Sequence, residues 1–183
     1  MEASIRRVVV PKVLEHPHPA VARVLKYDAT RAEKAKQYGY ISSWDSPRYE
    51  TPLQKRRLRL ASTLFLAVAQ CGGRTELSGG EPYGGHANGF VVRVGDQTVS
   101  LNVAVVETKR RTGKGADAKT ITHEAIQVIL DPGEGRRPDG RVWEDGERRL
   151  EDQLREIAVT IMMRGEEQHR ATVLHRHQWR CLL

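Results

Sequence analysis

The feature that most restricts the fold is a pair of period-two runs on either side of a tight glycine turn. Phe90, Val92 and Val94 alternate with Val91 and Arg93, Gly95-Asp96 interrupts, and Val99, Leu101, Val103 and Val105 then alternate with Thr98, Ser100 and Asn102. Successive side chains of a strand point to opposite faces, so each run presents one apolar and one polar face. Two such runs around a two-residue glycine turn predict an antiparallel hairpin. The second run reads as a strand from Gln97 to Glu107. A basic, glycine-containing loop from Lys109 to Lys119 leads to a third strand, His123 to Asp131, with Ile126, Val128 and Leu130 on one face. Turn-length links favour an antiparallel meander over parallel crossovers. Val142-Trp143 reads as a short strand or anchor after a Gly-, Pro- and Arg-rich loop.

Helices flank this sheet in the sequence. Thr51 is a favourable N-cap, Pro52 suits the first helical position, and Leu53, Leu60, Leu64, Val68 and Cys71 recur at helical spacing until Gly72-Gly73 stops them. After Asp145-Gly146, the stripe Leu150, Leu154, Ile157, Ile161 and Met162 predicts a second long helix. Before residue 50 the prolines at 11, 17 and 19 forbid a long helix, and two short ones are expected, Ala20 to Lys26 and Thr30 to Tyr38. The predicted class is α+β: an antiparallel β-meander of three or more strands packed against two long helices, with a basic helical N-terminal segment. The expected organisation is an arm with short helices over residues 1–50 and one α+β unit over 51–183.

Composition narrows the function classes. The chain has 183 residues, 39% hydrophobic and 5% aromatic, and no apolar run approaches the roughly 20 residues of a membrane span. Two cysteines, Cys71 and Cys181, form neither a disulfide framework nor a zinc set. A reducing, cytoplasmic setting without membrane is the expectation. The net charge of +7 is unevenly placed: residues 1–73 carry 13 Lys+Arg against 6 Asp+Glu, whereas 74–146 and 147–183 sum to −1 and +1. Such asymmetry suggests a polyanion partner, DNA or RNA, because neutralised phosphates release condensed counterions. Lys55, Arg56, Arg57 and Arg59 crowd the first turns of the Thr51 helix, where cations oppose the helix dipole unless something anionic answers them. Acidic neighbours within the fold would answer them as well as phosphates. Lys109, Arg110 and Arg111 form a second basic group.

Chemistry is suggested at one place. Asp96 with Glu107-Thr108-Lys109 spells the acidic–acidic–lysine pattern of magnesium nucleases. A continuous strand would set Asp96 about 36 Å from Glu107, at 3.3 Å per residue, far outside the reach of one metal ion. Glu124 or His123, across the loop, is the better neighbour for Glu107. Glu107, Lys109 and Glu124 are therefore the candidate catalytic residues, with no metal site and no cofactor otherwise indicated. The glycine-rich stretch Gly79–Gly85 lacks the Gly-Lys-Ser/Thr ending of a phosphate loop and precedes a strand.

The Lys55-Arg56-Arg57-Leu58-Arg59 helix ending at Gly72-Gly73 belongs to a wider pattern. With the Gly95 hairpin ending Glu107-Thr108-Lys109-Arg110-Arg111, and Trp143-Glu144-Asp145-Gly146 followed by Leu150-Glu151-Asp152, it resembles an uncharacterised family of bacterial proteins over residues 53–179. Members of that family often carry an N-terminal helix-turn-helix module ahead of this α/β region. The segment before residue 50 departs from such a module. The resemblance implies a bacterial or mobile-element protein with a nucleic-acid connection and transfers no catalytic residue. The functional expectation is a non-enzymatic nucleic-acid-binding or regulatory protein. The alternatives are a metal-dependent nuclease around Glu107 and Lys109, or a module that pairs with itself or a protein partner through its C-terminal helix.

Overall fold

The structure, a computed structural model, describes residues 8–38, 46–78, 89–112, 119–131 and 140–180, without the side chains of 108–112, 119–122 and 179–180. The glycine-rich 79–88, with His86, and most of the loops 39–45, 113–118 and 132–139 expected from sequence lie outside the described residues. Chain order is α1 (Pro19–Tyr38), α2 (Pro52–Gln70), β1 (Arg74–Leu77), β2 (Gly89–Val94), β3 (Gln97–Thr112), β4 (Lys119–Leu130), β5 (Val142–Glu144) and α3 (Leu150–Arg180). The fold is α+β, with a five-stranded antiparallel sheet in the order β1-β2-β3-β4-β5. No helix among the described residues is long and apolar enough to cross a membrane.

Register explains how one face became the core. Phe90 opposes Leu101, Leu101 opposes Leu130, and Val128 opposes Trp143, so these side chains share the face that also carries Val92, Val99, Val103 and Ile126. All of them are buried, and with Leu64, Phe65, Leu154, Ile157 and Ile161 from the helices they form one apolar cluster. The opposite face carries Arg74, Glu76, Arg93, Thr98 and Ser100, all exposed. This is the one-sided burial that period-two alternation demands.

α2 follows its sequence signals closely. The Thr51 hydroxyl accepts the Gln54 N–H at 3.2 Å, and Gly72 takes a φ of 85° where the chain leaves the helix. α3 begins three residues later than Glu147 and continues through Gly165, which its sequence alone made doubtful. A Cβ at Gly165 would lie 2.5 Å from Val94 Cβ, so the glycine lets the helix backbone pass against the β2–β3 turn. Gly95, with φ 62°, makes that turn as expected.

The expectation of two short N-terminal helices is corrected: α1 is one helix of 20 residues. Thr30, read as a cap, lies inside it, its hydroxyl bonded to the Lys26 carbonyl one turn back at 3.1 Å. No glycine or proline separates Lys26 from Thr30, and Asp28 gives the segment a tertiary anchor. The Asp28 carboxylate accepts the Arg48 and Tyr49 N–H groups at 2.8 and 3.2 Å, fixing the extended stretch before α2. His18, at the start of α1, accepts the Ala20 N–H through Nδ1, donates its own N–H to Ser62 and stacks edge-on against Phe65. α1 and the sheet therefore share one core through Ala20, Val21 and Val24.

These contacts fix directions. His18 meets the middle of α2 and Asp28 meets the segment just before it, so α1 runs antiparallel to α2. Arg56 and Glu151 join the first turns of α2 and α3, while Met162 lies beside Gly73, so α2 and α3 are parallel. Their N-termini lie near Glu144, the end of the sheet from which β3 and β4 continue outward.

Candidate nucleic-acid interface

β3 and β4 outrun the rest of the sheet. β2 pairs with β3 only as far as Asn102, and β5 pairs with β4 only from Gln127 to Ile129. From Val106↔Ala125 to Thr112↔Lys119, seven successive pairs join β3 and β4 with no third strand beside them among the described residues. At 3.3 Å per residue this ribbon is about 23 Å long. Sequence reading ended the first strand at Glu107 and took Lys109 to Lys119 as a loop. Thr108, Thr112, Thr120, Ile121 and Thr122 are β-branched and suit the longer pairing, so cationic residues here sit in strand rather than loop.

The ribbon changes sign along its length. At its base Glu107 stands directly opposite Glu124, both exposed, a like-charge pair that weakens the ladder there. Outward of that pair, residues 108–123 hold five cationic residues (Lys109, Arg110, Arg111, Lys114 and Lys119) against Asp117 alone. Lys109 pairs in register with Thr122, Arg110 with Ile121 and Arg111 with Thr120, so no strand pairing sets two of these charges face to face. The structure thus brings Glu107 and Glu124 together as the sequence suggested, with Lys109 one alternation beyond Glu107. Among the described residues no group of three His, Cys, Asp or Glu side chains is placed to hold a metal ion.

Asp96 is at the opposite end of β3 and has another task. Its carboxylate receives Gln97 Nε2 at 2.8 Å, contacts His169 Nδ1 at 2.7 Å and lies 3.7 Å from Arg176. Hydrogen bonds from Gln97 and His169 hold the carboxyl below its usual range. Asp96 tethers the second half of α3 to the β2–β3 turn, and the continuous β3 keeps it away from Glu107.

The α2 cations divide by environment. Arg56 forms two bidentate pairs, with Asp145 at 2.6 and 2.8 Å and with Glu151 at 2.6 and 2.8 Å. Those bonds raise the guanidinium pKa further above its ordinary value and lower both carboxyls. Asp145 also accepts the Leu150 N–H at 3.1 Å, capping α3. Arg57 is buried, bonded to Gln54 Oε1 at 3.0 Å and held over the Tyr49 ring at 5.2 Å; desolvation pulls its pKa down. The anionic answer to this helix N-terminus therefore comes from Asp145 and Glu151, inside the chain. Arg59 is half-buried and Lys55 exposed.

The remaining N-terminal positive charge is displayed along α1, where Arg23, Lys26, Lys34 and Lys36 are exposed. Because α1 runs antiparallel to α2, Lys34 and Lys36 lie towards the end of the molecule from which the ribbon projects, as does Lys55. Sequence reasoning passed over these α1 lysines because it split the helix; their exposure at helical spacing was the available signal. At the other end α3, about 46 Å long, outreaches the sheet and exposes Leu174.

No protein family, curated protein or solved structure matches the chain.

Proposed function

We propose that this protein binds nucleic acid, DNA in the first instance, in a non-enzymatic or regulatory role, and that the β3–β4 ribbon is its principal contact. One observation carries the reading: seven strand pairs extend beyond every neighbouring strand, and the sequence concentrates cationic residues there, at Lys109, Arg110 and Arg111. Lys55 and the exposed α1 lysines add positive potential towards the same end, which raises encounter rates with a polyanion. Arg56 and Arg57 take no part, being committed to Asp145, Glu151 and Tyr49. The bacterial or mobile-element origin implied by the sequence resemblance fits this role.

Fluorescence anisotropy with labelled duplex DNA across a salt series tests the proposal. Neutralising Lys109, Arg110 and Arg111 together reduces the slope of log K against log salt by about three, roughly one unit for each lost phosphate contact. Absence of affinity for duplex DNA, single-stranded DNA and RNA alike overturns it.

A second reading, metal-dependent phosphodiester cleavage, is favoured by the opposed Glu107 and Glu124 with Lys109 one alternation away. It requires cleavage in Mg²⁺ or Mn²⁺ that Glu107→Ala abolishes; a variant that cuts as well as the wild type removes it.

A further inference from the structure

Resting on the nucleic-acid reading, we propose that the ribbon enters the major groove of double-stranded DNA with Arg110 and Ile121 at base-reading positions and Lys109 and Arg111 at phosphate-contacting ones. Three observations carry this assignment. The first is size. Paired strands lie about 4.8 Å apart, and a two-stranded ribbon with its side chains fills the major groove, about 12 Å wide; the minor groove, near 6 Å, is too narrow. Its length of about 23 Å spans about seven base pairs at 3.4 Å each.

The second is composition. Residues 106–125 contain no Phe, Tyr or Trp. Proteins that hold single strands stack bases on aromatic side chains, and this segment offers none. An A-form RNA duplex has a major groove too deep and narrow for side chains to read. B-form DNA is the remaining partner of matching shape.

The third is the difference between the two faces. The β3–β4 register runs without a bulge from Leu101↔Leu130 to Thr112↔Lys119, so the alternation of the sheet continues into the ribbon. Glu107 and Glu124 fall on the face that continues Val103, Val105 and Ile126, the side covered by helices. Lys109 and Arg111 occupy later positions of that face. The other face continues Thr98, Ser100 and Asn102, which no helix covers, and runs on through Thr108, Arg110 and Thr112 opposite His123, Ile121 and Lys119. It carries no carboxylate. Only this face approaches a groove floor without meeting the helical layer or bringing an acid pair towards phosphates. At its centre, Arg110 and Ile121 are cross-strand partners. An arginine fork matches guanine O6 and N7, and an aliphatic side chain matches the thymine methyl.

The experiment selects duplexes from a random DNA library with the wild-type protein and compares affinity for the selected duplex with that for a scrambled one. The expected result is an enriched motif of about seven base pairs. Dimethyl sulfate treatment of the selected duplex should block binding through guanine N7, in the major groove, rather than adenine N3, in the minor groove. Arg110→Ala should cut the selected-to-scrambled ratio about tenfold or more, the scale of one bidentate base contact. Arg110→Lys keeps the charge, so it should lose the ratio while retaining the salt slope. Lys109→Ala with Arg111→Ala should weaken both duplexes equally. Interference and selection use the wild-type chain, so they decide the matter even where a variant misfolds. Equal affinity for single strands or an RNA duplex, a selection without a motif, interference confined to adenine N3, or an unchanged ratio in both Arg110 variants overturns the groove assignment while nucleic-acid binding stands. No affinity for any probe overturns both.

Discussion

Arg56 shows how one side chain can decide between two readings of the same sequence. Four cations in the first turns of a helix demand negative charge nearby, and from sequence alone phosphate and carboxylate serve equally well. Asp145 and Glu151 are 89 and 95 residues away in the chain, so no local pattern announces the pairing. All three groups are 24–31% exposed, between a surface pair and a buried one. Arg56→Ala is therefore expected to cost about 1–3 kcal/mol in urea unfolding, because it strands two carboxylates together at the start of α3. The pH dependence follows from the direction of the shifts. Asp145 and Glu151 titrate below their ordinary values of 3.8 and 4.5 when folded. The stability they contribute is complete above those values and is lost as pH falls through the lower folded ones. Acidification below about pH 4 should thus narrow the gap between wild type and Arg56→Ala; a gap that widens contradicts the assignment. His18 behaves in the opposite chemical sense with the same outcome. Burial lowers its pKa below 6.5, so above that pH it is neutral in both states. As pH falls beneath 6.5 the unfolded chain takes up the proton first and stability declines. His18→Gln should flatten that decline in melts measured from pH 7 to 5.

At the scale of elements, legibility followed the periodicity. α2, the Gly95 hairpin and the apolar stripe of α3 were visible because caps, turn and burial all pointed the same way. Errors fell where polar residues hid the element type. α1 looked broken at Thr30 because a threonine before a polar run resembles a cap, whereas its hydroxyl is satisfied within the helix. β1 went unseen because four residues with two exposed charges carry little signal. The ribbon was truncated because Lys109-Arg110-Arg111 reads as loop, although pairing through Thr112 depends on backbone groups that any of these residues supply. Two predictions belong here. Gly165→Ala should destabilise by about 1–3 kcal/mol, since its methyl group would overlap Val94, and Val94→Ala should recover part of that loss in the double variant. In hydrogen exchange, amides from Val106 to Thr112 should exchange faster than those from Val99 to Val103, because a two-stranded ribbon without a third strand opens locally. Equal protection along β3 would mean that the ribbon is braced by some other part of the chain.

For the molecule as a whole, the parallel α2 and α3, the antiparallel α1 and the outgoing β3 and β4 give the protein two unlike ends. Asp96, His169 and Arg176 fasten the end where β2 turns into β3. The other end gathers the ribbon, Lys55, Lys34 and Lys36. The excess of charge before Gly73 was legible as a number, but its meaning depended on which cations the fold neutralises. Arg56 is consumed internally and α1 displays the remainder, while the nearly neutral middle of the chain hides a basic ribbon tip between acids at its base. Only the strand register separates those acids from the cations beyond them. The most direct test is the salt dependence of duplex DNA binding, comparing wild type with the combined Lys109→Ala, Arg110→Ala and Arg111→Ala variant. Measurable affinity with a steep salt slope in the wild type, falling by about three units in the variant, is the predicted result. An identical slope in the two proteins, or no affinity in either, would contradict the assignment of the ribbon as the nucleic-acid interface.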